Sequence, residues 1–135
     1  MAEIILSNRM QALTDMVTPG TVITDVGCDH GFVSVYLVQK GISPRVIAMD
    51  VRPGPLEHAR EHIREYGLED RIETRLSDGL HSLKTGEAAG MICAGMGGPL
   101  MEKILTEGRE QAKGFRELIL QPQSEIPHFR TFLME

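Results

Sequence analysis

The chain has 135 residues, which suits one domain and is long enough to bury a core. Its 41% hydrophobic and 24% charged content is that of a soluble globular protein, and a net charge of -5 argues against a global nucleic-acid footprint, which would be basic. Two well-separated cysteines, Cys28 and Cys93, without a metal-finger pattern, point away from a disulfide scaffold and towards a reducing, cytoplasmic compartment; no apolar run is long enough to span a bilayer, and no basic segment followed by an apolar core opens the chain.

Ser7 is placed to cap a first helix whose apolar face is Met10, Leu13 and Val17, and Pro19-Gly20 stops it. Arg9 on this helix is a candidate substrate contact, although a helix that only covers a sheet accounts for the same residues. A β-branched run predicts the first strand, Val22 to Val26. It feeds the turn Asp25-Val26-Gly27-Cys28-Asp29-His30-Gly31, and a buried helix from about Gly31 to Lys40 follows, ended by Gly41. Strand, glycine turn and helix in that order present backbone N–H groups to a ligand, and glycines let the backbone come close. Asp25 and Asp29 on the turn would repel a pyrophosphate. They suit a cationic ligand such as S-adenosylmethionine, whose sulfonium and ammonium are positive.

The second strand, Val46 to Met49, ends in Asp50. An acidic residue there can accept hydrogen bonds from both hydroxyls of a ribose, or can simply favour the following helix through its dipole. That helix is predicted over Pro55 to Tyr66. Arg71 to Leu76 alternates and reads as an edge strand, leading to Ser77-Asp78-Gly79-Leu80. Asp78 either accepts from an adenine amino group or caps a short helix after it. The fourth strand, Met91 to Ala94, is wholly apolar and therefore central. It opens onto Gly95-Met96-Gly97-Gly98-Pro99, where three glycines either make a tight turn or admit a planar group, and a helix with Leu100, Met101, Ile104 and Leu105 follows. Leu118-Ile119-Leu120 forms a fifth strand, finished by Gln121-Pro122-Gln123, and Ser124 is placed to cap a last helix carrying Ile126, Phe129, Phe132 and Leu133. Five β-α units in series predict an α/β fold with a Rossmann-like parallel sheet, right-handed crossovers and ligands at the carboxyl ends of the strands.

With Leu6-Ser7-Asn8-Arg9-Met10, Asp25 to His30, Asp78-Gly79-Leu80, Ala94-Gly95-Met96-Gly97-Gly98 and Leu118 to Pro122 in this order, the chain resembles the class I S-adenosylmethionine-dependent methyltransferases. More narrowly, it is similar to the bacterial tRNA (adenine-22, N1)-methyltransferase family. The resemblance implies strand order 3-2-1-4-5 with helices on both faces. It also implies that residues 1–135 form a C-terminally truncated domain lacking the last two strands of the usual seven and a helical extension that holds tRNA. The implied cofactor-binding set is Asp25, Gly27, Cys28, Gly31, Asp50, Val51, Asp78, Gly79 and Gly95, with Asp25, Gly27, Asp29 and Gly31 framing the methionine part, Asp50 the ribose and Asp78 the adenine. Family members commonly carry tyrosine where this chain has Phe32, which keeps stacking and loses a hydroxyl.

The reaction expected is in-line transfer of the sulfonium methyl to N1 of an adenine, whose lone pair needs no general base. Positioning can supply roughly 7–11 kcal/mol of such a barrier. Asp29 is the candidate to stabilise positive charge arriving on the ring and His30 a candidate to hydrogen-bond the base; merely shaping the turn accounts for His30 equally well and for Asp29 less well. Because N1 lies on the Watson–Crick edge, a flipped base is expected on the glycine loop at Met96 and Gly97, with Arg9 as a further substrate contact. A nicotinamide dehydrogenase would need a glycine where Asp29 stands. His58-Ala59-Arg60-Glu61-His62 matches a metalloprotease string, but both histidines fall off the apolar face and read as solvated surface, so no metal is expected. The non-enzymatic alternative is a cofactor-binding or RNA-associated module without catalytic activity.

Overall fold

The computed structural model of the chain describes residues 4–134. Five strands, β1 (Ile23–Val26), β2 (Val46–Asp50), β3 (Ile72–Leu76), β4 (Gly90–Met96) and β5 (Glu117–Pro122), form one parallel sheet in the order β3-β2-β1-β4-β5. Six helices accompany them among the described residues: α1 (Asn8–Asp15), α2 (Phe32–Gln39), α3 (Pro53–Glu65), α4 (Gly98–Glu107), the single turn α5 (Arg109–Ala112) and α6 (Ile126–Leu133). No described helix is long and apolar enough to cross a membrane.

The two-residue period of the strands divides the core into two layers. Ile23, Val46, Ala48 and Ile92 join the apolar faces of α1, α2 and α3. Val26, Ile47, Met49, Met91 and Cys93 join α4 and Phe129 of α6 on the opposite face. Every residue of β1 and β2 is buried, as strands covered on both faces must be. β1 sits centrally, with Asp25 level with Ala48 on one side and Ile92 on the other. The strand order reverses between β1 and β4, and this switch opens a crevice at their carboxyl ends.

Ser7 caps α1 as expected, its Oγ accepting from Met10 N at 3.3 Å. Four local expectations are corrected. α3 starts at Pro53 rather than Pro55: Arg52 is held extended by the proline after it, and Pro53 needs no hydrogen bond in a first turn. No helix follows Asp78. Instead Ser77 Oγ donates to Gly79 O at 2.8 Å and accepts from Ser82 N at 3.0 Å, so side-chain hydrogen bonds take the place of helical ones in this loop. β4 runs on to Met96, past a bulge at Gly95, because its ladder with β5 continues to Pro122. Ser124 does not cap α6: Glu125 holds that position with φ 54, while Ser124 O accepts from Gly98 N at 3.1 Å.

Candidate active site

At the end of β1 the chain reverses through three left-handed residues, Gly27 (φ 75), Asp29 (φ 54) and Gly31 (φ 80). Met49 O takes the N–H groups of both Gly27 and Cys28, at 2.8 and 2.9 Å, which ties the turn to β2. A left-handed non-glycine residue costs on the order of 1–3 kcal/mol and persists only where its surroundings hold it. Here the hold is Asp50, whose Oδ2 accepts from Asp29 N at 3.0 Å.

A cavity of about 510 Å3 lies over this turn and the carboxyl ends of the strands. Asp25, Asp29, Asp50 and Asp78 all line it. So do Gly27, Cys28, Val51, Gly79, Gly95, Met96 and Arg9. The fold thus gathers residues from positions 9 to 96 at one rim. The carboxylates differ in setting. Asp25 is only 5% exposed and takes a hydrogen bond from Ser34 Oγ at 2.8 Å. Burial drives its pKa up to about 6 against that bond, with the nearby charges of Asp50 and Asp29 adding to the rise. Asp50 is equally enclosed, and burial alone would push its carboxyl up. Hydrogen bonds from the Arg52 side chain, Arg52 N and Asp29 N together outweigh burial and hold it below the usual range. Asp29 and Asp78 open to solvent, and Arg52 Nη2 lies 3.7 Å from Asp29 Oδ1.

Arg52 is a cavity residue that sequence reasoning missed, along with Val33, Ser77, Gln121 and Gln123. The signal available for it was its position two residues after the acidic strand end, which lets its backbone and side chain reach the same carboxylate. Cys28 faces the cavity, but burial and three neighbouring carboxylates push its thiol far up, so it stays protonated and is no nucleophile. Burial likewise pushes Cys93 up to about 12.

Three expected site residues stand elsewhere. His30 does not line the cavity. Its ring stacks on His58 of α3 at 5.0 Å between centroids, its carbonyl lies 2.8 Å from His62 Nδ1, and Phe32 stacks on His62 at 4.6 Å. His30 leans on α3, with its Nε2 3.7 Å from Asp29 Oδ1, so it borders the cavity through Asp29 rather than lining it. His58 is exposed, as expected of a surface position, and stacks on His30, while the half-buried His62 stacks on Phe32. Gly31 also lies outside the lining: a Cβ there would come 3.0 Å from Ala59 Cβ, so this glycine allows α2 to meet α3. Gly97 is the third: a Cβ would come 2.8 Å from Ser124 Oγ, so its bareness serves packing against the approach to α6. Gly95 alone of the three loop glycines is open, with nothing within 4 Å of a Cβ.

Among the described residues one group could approach a metal, Asp78, His81 and Glu107. It is exposed, and Glu107 is already engaged by His81 at 3.0 Å and Lys103 at 3.9 Å, the pattern of a surface ion-pair network.

A family model described as "methyltransferase domain" matches residues 6–135. The chain is 36% identical over 133 residues to the tRNA (adenine(22)-N(1))-methyltransferase of Bacillus subtilis, covering 98% of this chain and 56% of that protein. It is 29% identical over 104 residues to a ribosomal protein L11 methyltransferase of Syntrophomonas wolfei, covering 77% of this chain and 33% of that protein. Among solved structures, Streptococcus pneumoniae Sp1610 in complex with S-adenosyl-L-methionine superimposes with TM-score 0.92 at 33% identity, over 96% of this chain and 61% of that one. M. capricolum TrmK in complex with S-adenosyl-homocysteine superimposes with TM-score 0.74 at 29% identity, over 78% of this chain and 48% of that one. The chain thus spans from about a third to about three fifths of the length of these relatives.

Proposed function

We propose, from the premise that this chain belongs to the methyltransferase-domain family, that it binds S-adenosylmethionine and methylates N1 of an adenine in tRNA. The observation that carries the cofactor is the donor set: Asp25, Asp29, Asp50 and Asp78 converge on a single cavity of about 510 Å3, against which the lining sets two cations, the exposed Arg9 and Arg52, and Arg52 is already paired with Asp50. Four carboxylates and an open glycine, Gly95, fit a positively charged ligand with a ribose and a flat base; they do not fit a pyrophosphate.

Bound there, S-adenosylmethionine supplies an electrophilic methyl on a cationic sulfur. Asp25, at the floor, offers buried negative charge that gains most from a cation because water screens it least. Asp50 would present carboxylate oxygens to the ribose hydroxyls in place of its Arg52 side-chain bonds, with the bond from Asp29 N kept. Asp78, exposed at the rim of the cavity, would accept from the adenine amino group of the donor. Apolar walls from Met10, Leu13, Val33, Ile92, Leu100 and Ile104 exclude water. Asp29 lines the same cavity, where its carboxylate would stabilise positive charge developing on the acceptor ring. No residue has to remove a proton, since N1 of adenine attacks with its own lone pair. Met96 and Arg9 also line the cavity and would contact the acceptor. Work on tRNA puts the protein in the cytoplasm.

Support for the acceptor comes from the Bacillus relative, whose name gives adenine 22 of tRNA, and the L11 relatives supply the rival, a protein substrate. Calorimetric titration with S-adenosylmethionine followed by tritiated-methyl transfer to unmodified tRNA and to protein L11 tests both. Cofactor binding and N1-methyladenine in the digested tRNA are expected. Binding with no transfer to either acceptor leaves only a cofactor-binding module, and label in L11 alone overturns the RNA reading.

A further inference from the structure

We infer that Gln121 selects the acceptor base, its carboxamide gripping the N6/N7 edge of adenine so that N1 is left facing the methyl donor; this rests on the adenine-N1 reading above. Gln121 stands next to the last position of β5, level with Ala94 of β4, and lines the cavity. Its Oε1 is buried and receives no hydrogen bond. Among the described residues the only other such side-chain atom is Ser43 Oγ, which is not part of the cavity. A buried carbonyl oxygen without a donor costs about 1–3 kcal/mol, and a ligand that donates to it recovers that cost. Nothing bonds the oxygen in place, so turning the amide towards a ligand sacrifices no bond to it.

The position in the sheet separates this group from the carboxylates. Asp50 ends β2 and Asp25 lies on β1, whereas Gln121 lies on β5, beyond β4. Strands are spaced about 4.8 Å apart, which puts Gln121 roughly 10 Å across the sheet from β1. The acidic end of the cavity suits the cationic donor and the amide end a neutral base. A carboxamide matches adenine in two places at once: its oxygen accepts from N6–H and its N–H donates to N7. N1, on the far side of N6, stays free. Guanine offers O6 where adenine offers N6–H, so it would set oxygen against the orphan oxygen. Met96, which also lines the cavity, holds the turn beside Gln121 by accepting Gln123 N at 2.9 Å.

The test compares tRNA carrying adenine at the acceptor position with tRNA carrying purine there, which lacks the amino group, using the full wild-type chain, Gln121→Leu and Gln121→Glu. Purine also has a less basic N1, so the quantity read is the adenine-to-purine ratio of kcat/KM in each protein. Gln121→Leu is expected to lower kcat/KM for adenine by roughly 5- to 150-fold and that for purine, which keeps N7 but offers no N6–H, by a clearly smaller factor, so that the adenine-to-purine ratio falls. Gln121→Glu keeps an acceptor for N6–H and is expected to retain part of the preference. S-adenosylmethionine affinity within about twofold of wild type shows that the variants fold. A fall of equal size on both RNAs, or no fall, overturns the assignment of Gln121 while leaving adenine-N1 transfer standing. Absence of N1-methyladenine with the wild-type chain overturns that parent reading instead, and the inference with it.

Discussion

Replacing Asp25 by Asn removes a charge that the fold accommodates at a cost. The carboxyl titrates at 3.8 when free and at about 6 in the folded chain, so between those values the folded state binds protons more tightly than the unfolded state. Stability must then fall as pH rises through this window, and above about 6 the penalty is complete. At 1.36 kcal/mol per unit it reaches at most about 3 kcal/mol, and roughly half of that has accrued by pH 5. Asn keeps an oxygen that can accept from Ser34 Oγ, which now bonds Asp25 at 2.8 Å, so the packing is retained and only the ionisation is lost. Urea unfolding of wild type and Asp25→Asn at pH 5 and pH 8 is the assay. Asp25→Asn should be the more stable protein at pH 8, and its advantage should be larger there than at pH 5 by about 1–2 kcal/mol. The same substitution should weaken S-adenosylmethionine binding, so stability and affinity move in opposite directions. A stability difference that is flat with pH, or that shrinks towards pH 8, refutes the reasoning.

Because a cation beside Asp25 favours the ionised carboxylate, cofactor binding at pH 5 should release a proton, seen as a dependence of calorimetric heat on buffer ionisation enthalpy; no release argues against contact with Asp25. Asp50→Ala should lose about 10-fold or more in cofactor affinity, as expected for charged hydrogen bonds to ribose. Arg52→Ala should raise that affinity by no more than about fivefold, since an exposed pair is worth under about 1 kcal/mol; a tenfold fall would make Arg52 a ligand of the cofactor rather than its competitor. Asp29→Ala should cut methyl transfer about 10-fold or more with cofactor still bound, and undiminished transfer removes Asp29 from the chemistry.

The sheet was readable from sequence because β2 and most of β4 are apolar runs and β1 follows a β-branched stretch, a pattern that follows from burial on both faces. The carboxylate rim was readable for the same reason: Asp25, Asp50 and Asp78 each lie at or just beyond the carboxyl end of a strand, and parallel strands deliver such residues to one side. His30 was not, since adjacency in sequence says nothing of direction once Asp29 adopts φ 54. The roles of Gly95 and Gly97 could not be told apart without Ser124, a residue 27 positions after Gly97 that closes on one and not the other. Gln121 was hidden because a glutamine at a strand end is ordinary; only the missing donor on its Oε1 marks it.

The 3.0 Å clearance between the site of a Cβ on Gly31 and Ala59 Cβ leaves no room for one more methyl group on either side. α3 contributes no side chain to the cavity, yet Ala59, fully enclosed, sets how deeply the start of α2 can seat and hence where the turn carrying Asp29 comes to rest. Positions 31 and 59 should accordingly tolerate change only as a pair: Gly31→Ala is expected to cost about 1–2 kcal/mol from its left-handed backbone, and the further cost of the clash should shrink when Ala59 is Gly. A remote helix of this protein thereby acts as the shim that levels its binding turn.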